Sequence, residues 1–378
     1  MPRPSLWYNA HMSENNRIVF LDYLRVIACF MVMVVHATEP FYFDDAMNLH
    51  IATQADAWWV AIVDSAARAC VPLFVIASSY LLFPLTKPTG EFFRRRAVRI
   101  LIPFFIWAAI YTWHFGGKWV ELGFNFPSAG GHLWFVPMLL GLYLLMPLLS
   151  PWAEKASKRE VQGWLCLWLV TAAFPFVRRL SHLLVGDPSF GAVPYLWGEC
   201  PWNAFGTFQY VSGFFGYLLI GFYFRRFVPE FSWRKTLAWA IPLWVFGMAV
   251  MAGGFYFRIP GNGVYPVHEP YAAAVELEMS IEYCGLGVCA SVLAVLLVNS
   301  KLTARGWFYE KVIRPISEAS YGMYLMHIVI LVVFVEHLKG AVPTPVAIVG
   351  IAAGSFAVSS VASMIIRKIP FVGKWVVG

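Results

Sequence analysis

Residues 18–37 read IVFLDYLRVIACFMVMVVHA, an apolar segment whose strongly polar side chains are those of Asp22, Arg25 and His36. An α-helix of about 20 apolar residues is long enough to cross the hydrocarbon core of a bilayer. A charged side chain inside such a helix is energetically costly, and it normally faces a cavity, a partner or a substrate. The segment therefore predicts a membrane-spanning helix with one functional face.

Arg25 and His36 are eleven residues apart in this segment. Eleven residues of an α-helix return to within about 20° of the starting direction and rise roughly 16 Å. The two side chains are therefore expected on one face of the helix, at different depths. This spacing indicates a functional path through the membrane.

The composition of the whole chain agrees with a membrane protein. Of the 378 residues, 60% are hydrophobic and 13% are charged, whereas soluble domains have about 25% charged residues. Outer-membrane barrels are excluded, because their strands are alternating segments of about 10 residues rather than long apolar runs. We predict an all-α polytopic membrane protein with about ten transmembrane helices. Their expected positions are 18–37, 58–83, 98–115, 132–150, 161–177, 205–224, 236–257, 273–299, 316–337 and 342–366.

The distribution of basic residues predicts the orientation of these helices. With the N-terminus inside, most of the 28 Lys and Arg residues lie in the inner segments, as the positive-inside rule requires. Both termini are then expected in the cytoplasm. The protein itself is expected in the inner membrane. The net charge of +7 follows from topology and does not indicate nucleic-acid binding. We divide the chain into a cytoplasmic N-terminal segment, 1–17, and one integral membrane domain, 18–378.

His36 lies at the outer end of the first helix. An imidazole can take a proton from a hydroxyl near neutral pH, and it can also act as a nucleophile. The alternative is a structural histidine that is hydrogen-bonded to a neighbouring helix. The shared face with Arg25 favours the functional interpretation.

Two arginines lie within the predicted helices, each close to a carboxylate. Arg25 is one turn from Asp22, and Arg68 is four residues after Asp64. Both arginines can bind an anionic group, because a guanidinium forms bidentate contacts with phosphate or carboxylate. The alternative for each is an internal ion pair.

A basic run, Arg94-Arg95-Arg96-Ala97-Val98-Arg99, precedes the third helix on the inner side. These arginines can bind the phosphates of a nucleotide-type cofactor, and Arg96 and Arg99 are the candidates. The alternative is an ordinary positive-inside signal together with anionic lipid.

Four further residues are candidates for contacts with substrate or for supporting roles. His132 and Trp134 begin the fourth helix on the outer side, His327 lies near the middle of the ninth, and Glu282 lies near the outer end of the eighth. A carboxylate such as Glu282 can orient a histidine, although the sequence does not identify which. The spacing of the six cysteines does not match a metal site, so no metal is expected.

Several motifs together carry a resemblance to a known family. They are Arg25 with His36, Ala67-Arg68 through Val71-Pro72-Leu73-Phe74, Arg99 with Pro103, His132-Leu133-Trp134-Phe135, and Ser320-Tyr321-Gly322 through His327. The whole chain resembles the membrane acyltransferase 3 family. The resemblance implies that an acyl group, usually acetyl, moves from cytoplasmic acyl-CoA to a hydroxyl of a cell-surface glycan. It also implies that His36 is catalytic and that Arg25 is required.

We therefore expect an acetyl-CoA-dependent O-acetyltransferase that acts on a cell-surface or lipid-linked glycan. Among the donor-binding arginines, Arg96 and Arg99 would bind the phosphates, and the narrow arm of the donor would pass Arg25 and Arg68 to reach His36. The expected partners are this donor, a hydroxyl acceptor and membrane lipids. The alternative is a transporter or flippase, since intramembrane Arg and His residues also mark translocation pathways.

Overall fold

The computed structural model describes residues 17–43, 51, 53–124, 128–174, 176–177, 198, 203, 205–254 and 281–378. Within these ranges the chain is helical and contains no β-strand. Most of the predicted N-terminal segment, residues 1–16, lies outside the described residues.

The described helices are numbered in chain order. They are α1 Val19–Thr38, α2 Gln54–Ala67, α3 Cys70–Leu82, α4 Thr89–Arg96, α5 Ile102–His114, α6 Glu121–Phe124, α7 Phe135–Lys155, α8 Lys158–Ala172, α9 Phe215–Phe227, α10 Trp233–Met248, α11 Leu286–Asn299, α12 Arg314–Leu338, α13 Thr344–Arg367 and α14 Gly373–Val376. A π-helical segment, Ala97–Leu101, joins α4 to α5, and a second, Tyr309–Ile313, leads into α12. A short 3₁₀ segment, Ser128–Trp134, precedes α7.

Seven helical segments of the described chain are long and apolar enough to cross a membrane. They are Val19–Phe41, Ala55–Leu82, Thr89–His114, Gly130–Lys155, Trp233–Gly253, Tyr309–Leu338 and Thr344–Arg367. At the other three predicted positions the described helices are shorter, with 15 residues in α8, 13 in α9 and 14 in α11. Parts of those predicted spans lie outside the described residues, so the count of ten stays a prediction.

Helix α1 occupies the centre of the bundle. It packs against α2, α3, α12 and α13. The side chains of Leu24, Ala28 and Met33 are completely buried in these contacts. The segment that carries Arg25 and His36 is therefore surrounded by protein, which is where a polar side chain of a membrane helix is tolerated.

The second predicted span, 58–83, lies almost wholly within the helical segment Ala55–Leu82, which contains a two-residue turn. Helix α2 ends at Ala67 and α3 begins at Cys70, so Arg68 lies in the turn between them. The break puts Pro72 in the first turn of α3, where a residue that lacks an N–H group leaves no helical hydrogen bond unmade. Arg68 and Ala69 keep right-handed helical dihedral angles, and Ala69 is completely buried, so α2 and α3 follow one another within a single span.

Helices α10 and α11 cross at a pair of glycines. A Cβ atom added at Gly247 would lie 2.7 Å from the carbonyl oxygen of Gly287 and 2.2 Å from Ser291 Oγ. Small residues permit such close approaches between membrane helices, where packing provides much of the driving force for association.

We expect Gly247→Ala to destabilise the protein by about 1–3 kcal/mol, because the added methyl group overpacks against the backbone of α11. The measurement is the thermal unfolding of detergent-solubilised protein. Gly163→Ala in α8 is the control, since nothing lies within 4 Å of its added Cβ. The control should be neutral or slightly stabilising, because alanine favours the helix by about 0.5–1 kcal/mol over glycine. An unchanged midpoint for Gly247→Ala would contradict the close crossing.

Candidate active site

A cavity of about 820 Å³ lies between α1, α3, α7, α12 and the π-helical segment Ala97–Leu101. Its volume falls in the range of about 300–1,000 Å³ that is usual for small-molecule sites. The charged residues in its wall are Arg17, Asp22, Arg25, Arg99, Arg314 and Glu318. Four guanidinium groups against two carboxylates make this large cavity suitable for an anionic ligand.

The large cavity has an accessible charged end and a buried aromatic end. The side chains of Arg314 and Glu318 are 40% and 35% exposed. At the opposite end, Phe135 and Tyr324 are only 9% and 7% exposed. The cavity therefore opens at the end of the bundle where α1 and α12 begin, and it narrows towards the middle.

Asp22 connects the helices at the open end and is already engaged by other residues. Its carboxylate accepts hydrogen bonds from Arg17 at 2.5 and 2.9 Å, from Tyr309 Oη at 2.7 Å and from Ser317 Oγ at 2.7 Å. Arg25, the partner considered from sequence, is 3.9 Å away. The pairing of Asp22 with Arg25 is thus weak compared with the pairing of Asp22 with Arg17.

Arg25 consequently keeps its hydrogen-bond donors. Its side chain is 31% exposed, and it lines the large cavity. Among the described residues, its guanidinium makes no hydrogen bond. A cation held in the wall in this way can bind an anionic or strongly polarised group inside the cavity.

The basic run places Arg96 and Arg99 differently. Arg99 lies in the π-helical segment, is exposed and lines the large cavity. The guanidinium carbon of Arg96 lies 5.8 Å from the ring centroid of Phe92 and 5.9 Å from that of Tyr143. Arg96 thus packs behind Tyr143, which is itself a wall residue. π-Helical turns occur frequently at functional sites.

A second, much smaller pocket of about 20 Å³ surrounds the imidazole of His36. His132 and Trp134 also line it, and its wall shares Phe135 and Tyr324 with the large cavity. Arg25 therefore lines the large cavity, and His36 lines the small pocket that adjoins it. This arrangement agrees with the common helix face that their spacing predicts.

Glu39 is the residue at His36 that sequence reasoning missed. Its Oε2 atom is 2.8 Å from His36 Nδ1. Because an ionised carboxylate can only accept a hydrogen bond, Nδ1 donates in this contact, and in the neutral ring Nε2 then carries the lone pair. The sequence contains one hint of this contact, since residues three apart face each other at a helix end.

Three histidines from separate elements converge at the small pocket. The ring centroids of His36 and His327 are 4.9 Å apart, those of His132 and His327 5.1 Å, and those of His36 and His132 6.2 Å. His327 Nδ1 donates to the Tyr324 carbonyl at 2.6 Å, which leaves its Nε2 without a proton. The buried Nε2 atoms of His132 and His327 have no hydrogen-bond partner among the described residues. While their rings are neutral, His36 and His327 therefore each present an unprotonated Nε2 that can accept a proton.

Arg68 lies behind the small pocket, not in the wall of either cavity. Its guanidinium is bonded to Asp64 and donates to Tyr42 Oη at 3.1 Å. It also lies 5.4 Å from the ring centroid of Tyr283, which lines the small pocket. A role for Arg68 in donor binding stays a prediction.

Trp134 and Glu282 differ in their relation to the pocket. The ring of Trp134 is 41% exposed and lies 5.6 Å from that of Tyr283, so it forms an outer wall. Glu282 is exposed and does not belong to the described lining of either cavity. In the described part of the chain, the carboxylate that contacts His36 is that of Glu39. Within the same residues, no group of three or more His, Cys, Asp or Glu side chains is arranged to hold a metal ion.

We expect Asp22→Ala to destabilise the protein by about 3–5 kcal/mol, because it leaves Arg17 without its principal buried partner. The measurement is again thermal unfolding in detergent. Glu230→Ala is the matched control: its carboxylate is 88% exposed and pairs with Lys301 at 3.1 Å. An exposed pair of this kind contributes about 0–1 kcal/mol. Equal effects of the two substitutions would show that Asp22 does not hold the open end together.

Comparison with known proteins identifies the family. The family model described as an acyltransferase domain, of the acyltransferase 3 type, matches residues 18–364. No curated protein and no solved structure gives a significant match. The matched region contains the small pocket, the lining of the large cavity apart from Arg17 and Gly378, and the nine site residues predicted from the sequence. Since it covers most of the chain, the protein belongs to the acyltransferase 3 family of membrane acyltransferases.

Proposed function

We propose that the protein is an acetyl-CoA-dependent O-acetyltransferase that acts on a hydroxyl of a cell-surface or lipid-linked glycan. Membership of the acyltransferase 3 family supports acyl transfer in general. One observation carries the specific mechanism. His36, oriented by Glu39 at 2.8 Å, lies in a small pocket that adjoins an arginine-lined cavity.

The proposal includes a membrane topology. The protein would span the inner membrane ten times, with both termini in the cytoplasm. The open end of the large cavity would then face the cytoplasm. The basic residues at that end, Arg99 and Arg314 among them, agree with the positive-inside rule. Acetyl-CoA would then enter from the compartment in which it is made, and His36 would act near the outer face.

The donor would bind along the depth of the large cavity. Arg99 suits the phosphates at the open end, and Arg96 can reinforce it from behind Tyr143. Arg25 lies deeper, so it suits a polar group along the narrow arm or the carbonyl of the thioester. Charge-assisted hydrogen bonds of this kind are about twice as strong as neutral ones.

His36 would act as a general base. Its Nε2 takes the proton of the acceptor hydroxyl while the hydroxyl oxygen forms a bond to the thioester carbonyl carbon. The carbon–sulfur bond then breaks, and the leaving thiolate takes the proton from the imidazolium. The carboxylate of Glu39 stabilises the imidazolium through Nδ1–H, which is the arrangement of a histidine–carboxylate pair in acyl transfer.

A second route uses the same atoms in two steps. His36 Nε2 attacks the thioester carbon directly, the thiolate leaves, and the acetyl group then passes from the histidine to the hydroxyl. Trapping labelled acetyl on the protein in the absence of acceptor distinguishes this route from direct transfer.

The outer side of the small pocket would hold the acceptor. Trp134 and Glu282 are proposed to contact it, because a half-exposed indole can pack on a sugar ring and a carboxylate can accept hydrogen bonds from hydroxyls. His132 and His327 would support His36 from within the protein. We propose lipid-linked glycans of the enterobacterial common antigen type as the first acceptors to test.

A transporter or flippase is the alternative function. It predicts vectorial movement of a solute in proteoliposomes without any acetyl transfer. Membership of an acyltransferase family favours catalysis. Acetyl transfer by purified protein in detergent, where no vectorial movement exists, would exclude a purely transporting role.

We expect His36→Ala to reduce acetyl transfer by about 10²- to 10⁴-fold, the usual contribution of a positioned general base. Glu39→Gln should give a loss of about 10- to 1000-fold, since a carboxamide orients the ring without stabilising the imidazolium. The assay uses radiolabelled acetyl-CoA, purified protein in lipid and the panel of glycans. Glu336→Gln is the control, because this exposed carboxylate of α12 lies outside both cavities.

Full activity of a folded His36→Ala variant would refute the proposed mechanism. The absence of CoA binding and of label transfer in the wild type, over the whole panel, would refute the proposed function and favour the transporter.

Arg99→Gln is expected to raise KM for acetyl-CoA by about tenfold or more, because a charged hydrogen bond to phosphate contributes about 1.5–3 kcal/mol. Arg94→Gln is the matched control. It changes the same residue type five positions earlier in the basic run, where the side chain is exposed and does not line the large cavity. Steady-state kinetics of both variants test this. Equal increases in KM would mean that the run acts as a diffuse charge and not through Arg99.

A further inference from the structure

The two cavities differ greatly in size. The large cavity measures about 820 Å³, whereas the pocket at His36 measures about 20 Å³. A volume of about 10–15 Å³ on this scale is needed for a single water molecule. The room beside the reacting imidazole is therefore sufficient for one small group, although the donor cavity accommodates a much larger molecule.

The walls of the small pocket are stiff. Val32 and Val35 of α1 and Val71 of α3 line it, and all three are at most 7% exposed. β-Branched side chains have few accessible rotamers. Close-packed interiors also resist added volume, because each extra methylene forces neighbouring side chains or the backbone to shift. The pocket therefore cannot enlarge on this side without cost.

Phe135 and Tyr324 form the constriction between the two cavities, since both residues line both of them. Their ring centroids are 5.6 Å apart. Tyr324 is tethered, because its hydroxyl donates to the His132 carbonyl at 2.8 Å. Phe135 has no polar atom in its side chain, and on the side of the large cavity it packs against Phe74 at 6.2 Å. Of the two rings, that of Phe135 is therefore held by packing alone and not by a hydrogen bond.

We propose that the ring of Phe135 sets the length of the acyl group that can reach His36, so that the donor class is acetyl-CoA and not longer acyl-CoA. This inference rests on the proposed function. The acyl carbon must pass between Phe135 and Tyr324 and lie next to Nε2. The methyl group of acetyl is then accommodated by rotation of one ring, whereas each further methylene presses on the valine side of the pocket.

The test compares acetyl-, propionyl- and butyryl-CoA as donors for the purified protein in lipid, with release of the CoA thiol and of labelled product as readouts. The wild type should lose about tenfold or more in kcat/KM for each added methylene, within the range for a hydrophobic pocket. Phe135→Ala should flatten this series, so that butyryl approaches acetyl. Phe135→Leu, which removes less volume, should give an intermediate series and remains informative if the alanine variant does not fold.

Leu139→Ala is the matched control. Leu139 lies one helical turn after Phe135 in α7 and lines the large cavity only. Its ratio of acetyl to butyryl should equal that of the wild type, whatever its absolute rate. An unchanged ratio in both Phe135 variants, or the same flattening in Leu139→Ala, would overturn the inference while leaving the proposed function intact. Failure of the wild type to bind CoA or to use any donor would instead overturn the proposed function, and this inference with it.

Discussion

The buried carboxylate of Asp22 is the interaction on which the rest of the site depends. It accepts hydrogen bonds from Arg17 and from Tyr309 and Ser317, and so joins the start of α1 to the start of α12. These two helices pack against each other and both contribute to the wall of the large cavity. The same four bonds saturate Asp22, which leaves Arg25 at 3.9 Å with its donors available to a ligand. One structural ion pair therefore leaves the guanidinium of a second arginine available to a ligand.

The positions of Arg25 and His36 could be predicted because helix geometry alone relates them. The period of the α-helix places two residues that are eleven apart on the same face. Burial of the helix in the bundle does not change this relation. The apolar runs similarly located the long spans. The contact of Glu39 with His36 was not predictable in this way, because it depends on how the chain turns after α1 ends at Thr38.

The break between α2 and α3 shows a different limit of sequence reasoning. Residues 58–83 are apolar apart from Asp64, Arg68 and three serines, and only Pro72 indicates an interruption. Hydropathy measures transfer to lipid and is insensitive to where a helix stops. Arg68, at this turn, lies outside the wall of the large cavity and 5.4 Å from the ring centroid of Tyr283. Arg68 was a candidate because of its residue type and its depth in the membrane. Tertiary packing determines its actual surroundings, and no local sequence pattern encodes that packing.

The ion pair of Asp64 with Arg68 also bears on how this segment enters the membrane. Each charge alone would cost about 2.5–3.5 kcal/mol at the centre of an inserting helix. The two residues are four apart, so they can pair as soon as this one segment becomes helical, before Tyr42 or Thr38 is near. The segment can therefore partition into lipid as a nearly neutral unit during synthesis. The charges later found deep in the folded bundle need not be carried there unpaired.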